Sequence, residues 1–183
     1  MESSDTPDGP TCEQSRESWR VREATSDDID AIVGLRAGGA AAAFAGASHL
    51  PEIYATLILE FMDRQELERA LGDPACHVFV ATDREEHVVG TAQLTVDQSA
   101  GQLSACAAAI HGKGIGSALM RTRIETARRL GLSMVWLEID TINPGGMAHA
   151  ARHSFTPGAT RPGRLIPENK VVRFELELPT EVT

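Results

Sequence analysis

The sequence holds only three cysteines in 183 residues, Cys12, Cys76 and Cys106, with no C-x-x-C spacing among them. That number and spacing support neither a disulfide framework nor a zinc knuckle, and free thiols suit a reducing cytoplasm. Positive charge is also scarce: 17 Lys and Arg stand against 26 Asp and Glu, a formal net charge of −9. A field of that sign repels nucleic acid and anionic membrane, so neither is expected as a partner. No run is long and apolar enough to span a bilayer. The richest, AGGAAAAFAGA at 37–47, is too short and too rich in small residues. The first residues are acidic and polar rather than basic and then apolar, so no signal peptide is read there. Residues 1–18 hold almost nothing to bury and are expected to form a disordered acidic tail. The remainder, 19–183, is long enough for one domain with a real core.

Hydrophobic patterning orders that domain. WRVREA alternates and predicts a strand over 19–24. TSDDIDAIVGL opens a helix with Thr25 or Ser26 as N-cap and acids in the first turn, while Gly38, Gly39, Gly46 and the alanines obscure its end. PEIYATLILEFMDRQELERAL predicts a second helix over 51–71, with Pro51 in its first turn. HVFVATD (77–83) and HVVGTAQLTVD (87–97) form a hairpin around REE. QLSACAAAI (102–110) is a poorer strand, because alanine is a weak strand former. A helix over 115–130 buries Met120, Ile124, Ala127 and Leu130 as one stripe and stops at Gly131. LSMVWLEID (132–140) is a central strand. A short helix near 145–153, a short strand near 155–161 and a closing strand at 169–178 follow. The fold class is α/β: an α+β mixed sheet of six to seven strands flanked by about four helices. A right-handed crossover makes the strands at 102–110 and 132–140 parallel neighbours.

Between the fourth strand and the third helix stands HGKGIGS, residues 111–117. A helix N-terminus leaves several N–H groups without partners and carries partial positive charge. Glycines let those groups face a ligand with no Cβ in the way, and the combination binds phosphate. The spelling is not a Walker loop, because Lys113 is followed by Gly114. It is not the dinucleotide fingerprint either, because its glycines are spaced G-x-G-x-G. On spacing alone it is either a phosphate cradle or a close-packed strand-to-helix turn.

The segment resembles the pyrophosphate loop of the GNAT superfamily of N-acetyltransferases, [QR]-x-x-G-x-[GA]. Gly114 and Gly116 match its small positions, and His111 stands where the family has Gln or Arg. HVVGTAQL is similar to that family's third strand, and MVWLEIDTINPGGMAHAARHSF to its fifth strand and following helix, with Asn143 and Phe155 matching. The resemblance covers about residues 19–178. GTAQL and PGRL (162–165) are also similar to tabtoxin-resistance-like acetyltransferases. The resemblance implies an acetyl-coenzyme A site. The diphosphate would lie on His111, Gly112, Lys113, Gly114, Ile115, Gly116 and Ser117. The pantetheine would run along Cys106, Ala107 and Ala108 between two splayed strands, with Asn143 also at the cofactor. Helices of the 44–62 region line acceptor sites in the family, which implies Phe44, Tyr54 and Phe61 as substrate contacts. The implied substrate is the primary amine of a small molecule, an antibiotic or an amino acid derivative, and by analogy the chain forms a homodimer.

A primary amine is protonated at neutral pH and needs a general base before it attacks a thioester. Glu138 and Asp140 lie two apart and share one strand face. They either serve as base in a cleft, or cap the following loop (Asp140) and stay solvated (Glu138). Cys106 reads as a small buried residue rather than a nucleophile, and His149 and His153 as structural or exposed helix residues. No metal spacing is read around His77 and His87. Two departures from the family stand out. The position of its usual tyrosine acid is Ala150, the only tyrosine being Tyr54, and the fourth strand lacks the apolar-x-apolar-x-Pro ending. The alternative reading is therefore a degenerate GNAT fold that binds coenzyme A or a metabolite without acetyl transfer.

Overall fold

The structure is a computed structural model. It describes residues 19–179 except 44, 46–48, 50–51, 54, 57–58, 60–62, 111, 164–165 and 167. The tail expected at 1–18, and the expected site residues Phe44, Tyr54, Phe61 and His111, lie outside the described residues.

Seven strands form one mixed sheet: β1 (Arg20–Glu23), β2 (Cys76–Thr82), β3 (Val88–Asp97), β4 (Ala100–Ala108), β5 (Met134–Asp140), β6 (Thr156–Pro162) and β7 (Lys170–Glu177). Their order is β1-β2-β3-β4-β5-β7-β6. Every neighbouring pair is antiparallel except β4 and β5, the two strands joined by the crossover. Four helices flank the sheet among the described residues: α1 (Ile29–Ala43), α2 (Arg64–Gly72), α3 (Ile115–Arg129) and α4 (Pro144–Arg152).

Alternation sorts the strands between two cores. Phe79, Ala81, Ala92, Leu94, Val135 and Phe174 pack against Leu119, Met120 and Ile124 of α3. On the opposite face Val78 and Val80 meet Ile29 and Ile32 of α1 and Leu67 of α2. The small residues of α1 have a packing reason. A Cβ on Gly39 would come within 2.7 Å of the Ala107 Cβ, so the glycine lets α1 lie close against β4.

Three expectations are corrected. The single helix expected over 51–71 is interrupted. Glu52, Ile53, Ala55, Thr56 and Leu59 are helical, but α2 begins anew at Asp63, whose extended backbone places Oδ1 to accept the Glu66 amide at 3.0 Å. The stripe of α3 keeps Met120, Ile124 and Ala127 inside, but Leu130 is exposed. The chain turns at Gly131, whose φ is 72°, and Leu132 takes the core position instead. Cys106 is exposed rather than buried, for a reason that lies in β4.

Candidate active site: a split sheet under a helix N-terminus

β4 and β5 pair over three positions only, Ala100 with Met134, Gly101 with Val135 and Gln102 with Trp136. Beyond them the facing edges separate, although β5 stays paired with β7 as far as Asp140 and β4 stays paired with β3 as far as Ala108. The split therefore opens on one side of each strand. Its origin is local. Ala105 has a φ of 49°, and the β3–β4 register shifts between Ser104 and Ala107. A bulge of this kind inserts an extra residue and bends its strand. Cys106 lies in that bulge, which exposes it, while Ala107 is buried against α1. The unpaired edge of β4 leaves backbone groups free for a ligand that behaves as an added strand.

Arg123 of α3 supports the bulge from below. It is 1% exposed, and its Nη1 donates to the Ser104 carbonyl at 3.3 Å and the Gln93 carbonyl at 3.4 Å. No carboxylate among the described residues pairs with it, and burial lowers its pKa from the ordinary arginine value. The sequence carried a signal for this. Position 123 is three residues after Met120 and falls on the buried stripe.

The helix start stands where β4 ends. Gly114 is the N-cap of α3 with φ of 84°, and the first helical amide with a backbone partner is that of Ala118, which donates to the Gly114 carbonyl at 2.9 Å. The amides of Ile115, Gly116 and Ser117 have no hydrogen-bond partner among the described residues, as expected for a first turn. Gly112 and Gly114 both hold left-handed backbone, and a Cβ at Gly114 would lie 3.2 Å from Trp19 Cζ2. Lys113 is exposed between them.

Helix α4 reaches the same turn. Ser117 Oγ lies 3.2 Å from His153 Nε2, and the His153 ring meets His149 edge-on with centroids 4.8 Å apart. His149 lies against Gly116, at 3.6 Å from the position a Cβ would take there. Its pKa is lowered to about 4, first by burial and then by His153, Arg152 and Arg123. His153 is lowered in the same direction by burial and by Arg121, Arg152 and Arg123. Their i, i+4 spacing was the sequence signal for this pair. Asn143 is the N-cap of α4, its Oδ1 accepting the Gly146 amide at 2.9 Å, and Ala150 is wholly buried in the core.

Glu138 and Asp140 share the β5 face that carries Trp136, on the limb beyond the split. Both are engaged. Glu138 accepts from Arg161 of β6 at Oε1 (3.2 Å) and Oε2 (2.6 Å), and Asp140 Oδ1 accepts the Ile142 amide at 3.1 Å. Beside them Arg173 of β7 lies over the Trp136 ring at 4.2 Å and pairs with Glu175 at 2.7 Å. At the far β2–β3 turn, Asp83, Glu85 and His87 bring potential metal-ligand atoms within 4.8 Å of one another. There Asp83 Oδ1 already accepts the amides of Glu85 and His87.

A mixed sheet split between two parallel strands, with unpaired amides of a helix start above the split, defines a protein that can hold a long nucleotide-linked ligand by its backbone. The acetyltransferase (GNAT) family model matches residues 50–155, more than half of the chain, and the chain belongs to that family. Acetyl-coenzyme A is the cofactor of these enzymes, and acetyl transfer from it is their activity. Comparison of the sequence with curated proteins gives no match.

Solved structures share the fold. The PaiA N-acetyltransferase of Thermoplasma acidophilum, in complex with coenzyme A, is 14% identical with a TM-score of 0.76, over 88% of this chain and 99% of that one. The ribosomal-protein-alanine N-acetyltransferase of Brucella melitensis is 21% identical with a TM-score of 0.70, over 87% and 99%. The spermidine N-acetyltransferase of Vibrio cholerae, in complex with coenzyme A and spermine, is 13% identical with a TM-score of 0.69, over 92% and 100%. No helix among the described residues is long and apolar enough to cross a membrane.

Proposed function

We propose that this protein transfers the acetyl group of acetyl-coenzyme A to the primary amine of a small molecule, an antibiotic or an amino acid derivative, by direct attack of the amine on the thioester. The observation that carries this reading is the loss of β4–β5 pairing after Gln102 and Trp136, together with the amides of Ile115, Gly116 and Ser117, which have no partner among the described residues. Those residues suit the cofactor. The amides and Lys113 receive a diphosphate, and the free edge of Cys106, Ala107 and Ala108 hydrogen-bonds an extended pantetheine. Bound acetyl-coenzyme A supplies an activated acyl carbon and a thiolate leaving group. The chain's own residues hold the acceptor and remove its proton. Glu138 and Asp140, on the β5 limb of the split, attract an ammonium group and one of them accepts its proton. For Glu138 this requires the exposed Arg161 pair to open, at a cost of about 1 kcal/mol or less. Phe44, Tyr54 and Phe61 are proposed to contact the acceptor, and Asn143 to stand beside the cofactor while capping α4.

The test combines a thermal shift with coenzyme A and thiol release across a panel of amines. A rise in melting temperature is expected, because the ligand binds only the folded chain. Glu138→Gln or Asp140→Asn is expected to lower turnover more than cofactor affinity. Full rates in both variants would place the base elsewhere. A second reading, binding without transfer, is favoured by one observation: Ala150, at the family's tyrosine position, is wholly buried and offers no acid to the leaving thiolate. A thermal shift without thiol release for any amine would select it.

A further inference from the structure

We propose that His153 and His149 complete the diphosphate cradle from α4: His153 aims the Ser117 hydroxyl, and the pair takes up a proton as the diphosphate binds. This rests on the assignment of the α3 amides to the coenzyme A diphosphate.

The geometry joins two helices at one turn. Ser117 is the third residue of α3, and its Oγ lies 3.2 Å from His153 Nε2, on the turn whose amides have no partner among the described residues. A hydroxyl has one hydrogen and two lone pairs. If it donates to His153, it offers an anion only lone pairs, which repel it. If His153 Nε2–H donates to it, its own hydrogen is free for a phosphate oxygen. His153 thus decides which way Ser117 donates, and an imidazolium fixes that choice because both of its nitrogens are donors. His149 adds a second reason. Its Nε2 is enclosed, and the ring lies against Gly116 within the cradle itself, where the Gly116 backbone favours the charged imidazole against burial.

The groups facing this pair explain why the proton is absent before the ligand arrives. Arg121 and Arg123 act from α3 and Arg152 from α4, and His153 acts on His149 across 4.8 Å, while only the Gly116 backbone pulls the other way on His149. Burial and these cations keep both imidazoles neutral in the free protein. A diphosphate on the Ile115–Ser117 amides brings negative charge beside both rings and reverses the balance, so the imidazolium becomes favourable only in the complex. By linkage, proton uptake on binding means tighter binding as pH falls through the raised value in the complex.

Calorimetric titration of the full chain with 3′-dephospho-coenzyme A tests this. That probe keeps the diphosphate but lacks the phosphomonoester that would itself titrate near neutrality. Affinity is expected to tighten by at least about threefold per pH unit on going from pH 8 to pH 6, full uptake of one proton being about tenfold per unit. Buffers of differing ionisation enthalpy should report net proton uptake. His153→Gln, which keeps an N–H donor toward Ser117 but cannot take up a proton, should lose most of the slope. The double variant H149Q/H153Q should be flat. Long-range 15N spectra of the unaltered chain give a reading independent of how the variants fold. The His153 ring should pass from neutral to imidazolium on saturation at pH 6.5. Binding with a flat pH profile and neutral rings would overturn the proposal while leaving the cofactor site standing. No binding at millimolar probe would overturn the site assignment and the proposal together.

Discussion

Arg123, enclosed beneath the sheet, donates to the carbonyl of Ser104, the residue immediately before the left-handed Ala105 that forms the β4 bulge. A cation without a carboxylate partner is thus invested in holding the carbonyls on the β3 and β4 sides of the bulge. Replacing such a buried charge by a hydrophobe of similar volume is commonly neutral or stabilising by about 1–4 kcal/mol. Arg123→Met is therefore expected to keep or raise the melting temperature while weakening coenzyme A binding at least about fivefold, as two carbonyls lose their donor (~1 kcal/mol each). Scanning calorimetry and isothermal titration read the two effects separately. An unchanged affinity would show that the bulge is set by β3 alone.

Gly116 separates ligand binding from folding better than Gly114 does. Gly114 holds left-handed backbone and abuts Trp19, so any side chain there strains the fold. Gly116 is helical, and a Cβ would make ordinary contact with His149 at 3.6 Å. Gly116→Glu puts a carboxylate where the diphosphate belongs, near a helix start that favours negative charge by about 0.3–1 kcal/mol. The free variant should melt at or slightly above the parent temperature and show no shift with coenzyme A. Retained binding would move the diphosphate site elsewhere.

Asp28 gives an acid-dependent contribution to stability. Arg22 donates to both carboxylate oxygens, at 2.7 and 2.9 Å, and the Thr25 amide donates at 2.8 Å. The Arg22 hydrogen bonds, outweighing burial and joined by those of Thr25, hold the carboxyl below its ordinary value. A depressed folded pKa stabilises above the unfolded value, about 3.9, and the contribution is lost as pH falls through the folded value. Asp28→Asn should cost about 1–3 kcal/mol at pH 7, with the gap to the parent closing as pH falls below about 4. A gap in urea denaturation that stays constant to acid pH would show the cost to be steric.

Histidine acts in the same direction, in a higher pH window. His149 is lowered to about 4, so between that value and its unfolded value the unfolded chain binds more protons. Stability of the free protein should fall as pH drops from about 6.5 toward 4. Melting temperatures of H149Q across that range should show a shallower decline. Equal slopes would mean that other groups dominate.

The end of α4 carries correctable strain. Ser154 has φ of 66° and donates its amide to the Ala151 carbonyl at 3.1 Å, in the exposed position that helices usually give to glycine. Ser154→Gly should add up to about 1 kcal/mol, or roughly 2–4 °C in melting temperature for a chain of this size. Ser154→Ala, which keeps the Cβ, should not.

The glycine segment, the carboxylates of β5 and the crossover were legible because each depends on local rules. Gly112 and Gly114 adopt the left-handed backbone their residue type permits, and period-two alternation puts Glu138 and Asp140 on one face of β5. The buried Arg123 was less legible. Charge suggests a solvated position, and only its place on the Met120 stripe argued otherwise. The break at Asp63 was missed because no glycine or proline marks it, and a side-chain cap decided the matter.

Sequence alone determined the strand and helix pattern, the parallel pair at the sheet centre and the helix start poised for an anion, since backbone preference and side-chain periodicity act over a few residues. Only the tertiary structure decided where the sheet parts, that Cys106 stands exposed in a bulge, that Arg161 already engages Glu138, and that two histidines of α4 meet the first turn of α3. The Arg161–Glu138 and His153–Ser117 contacts depend on residues 23 and 36 positions apart being brought to hydrogen-bonding distance, which no local rule encodes.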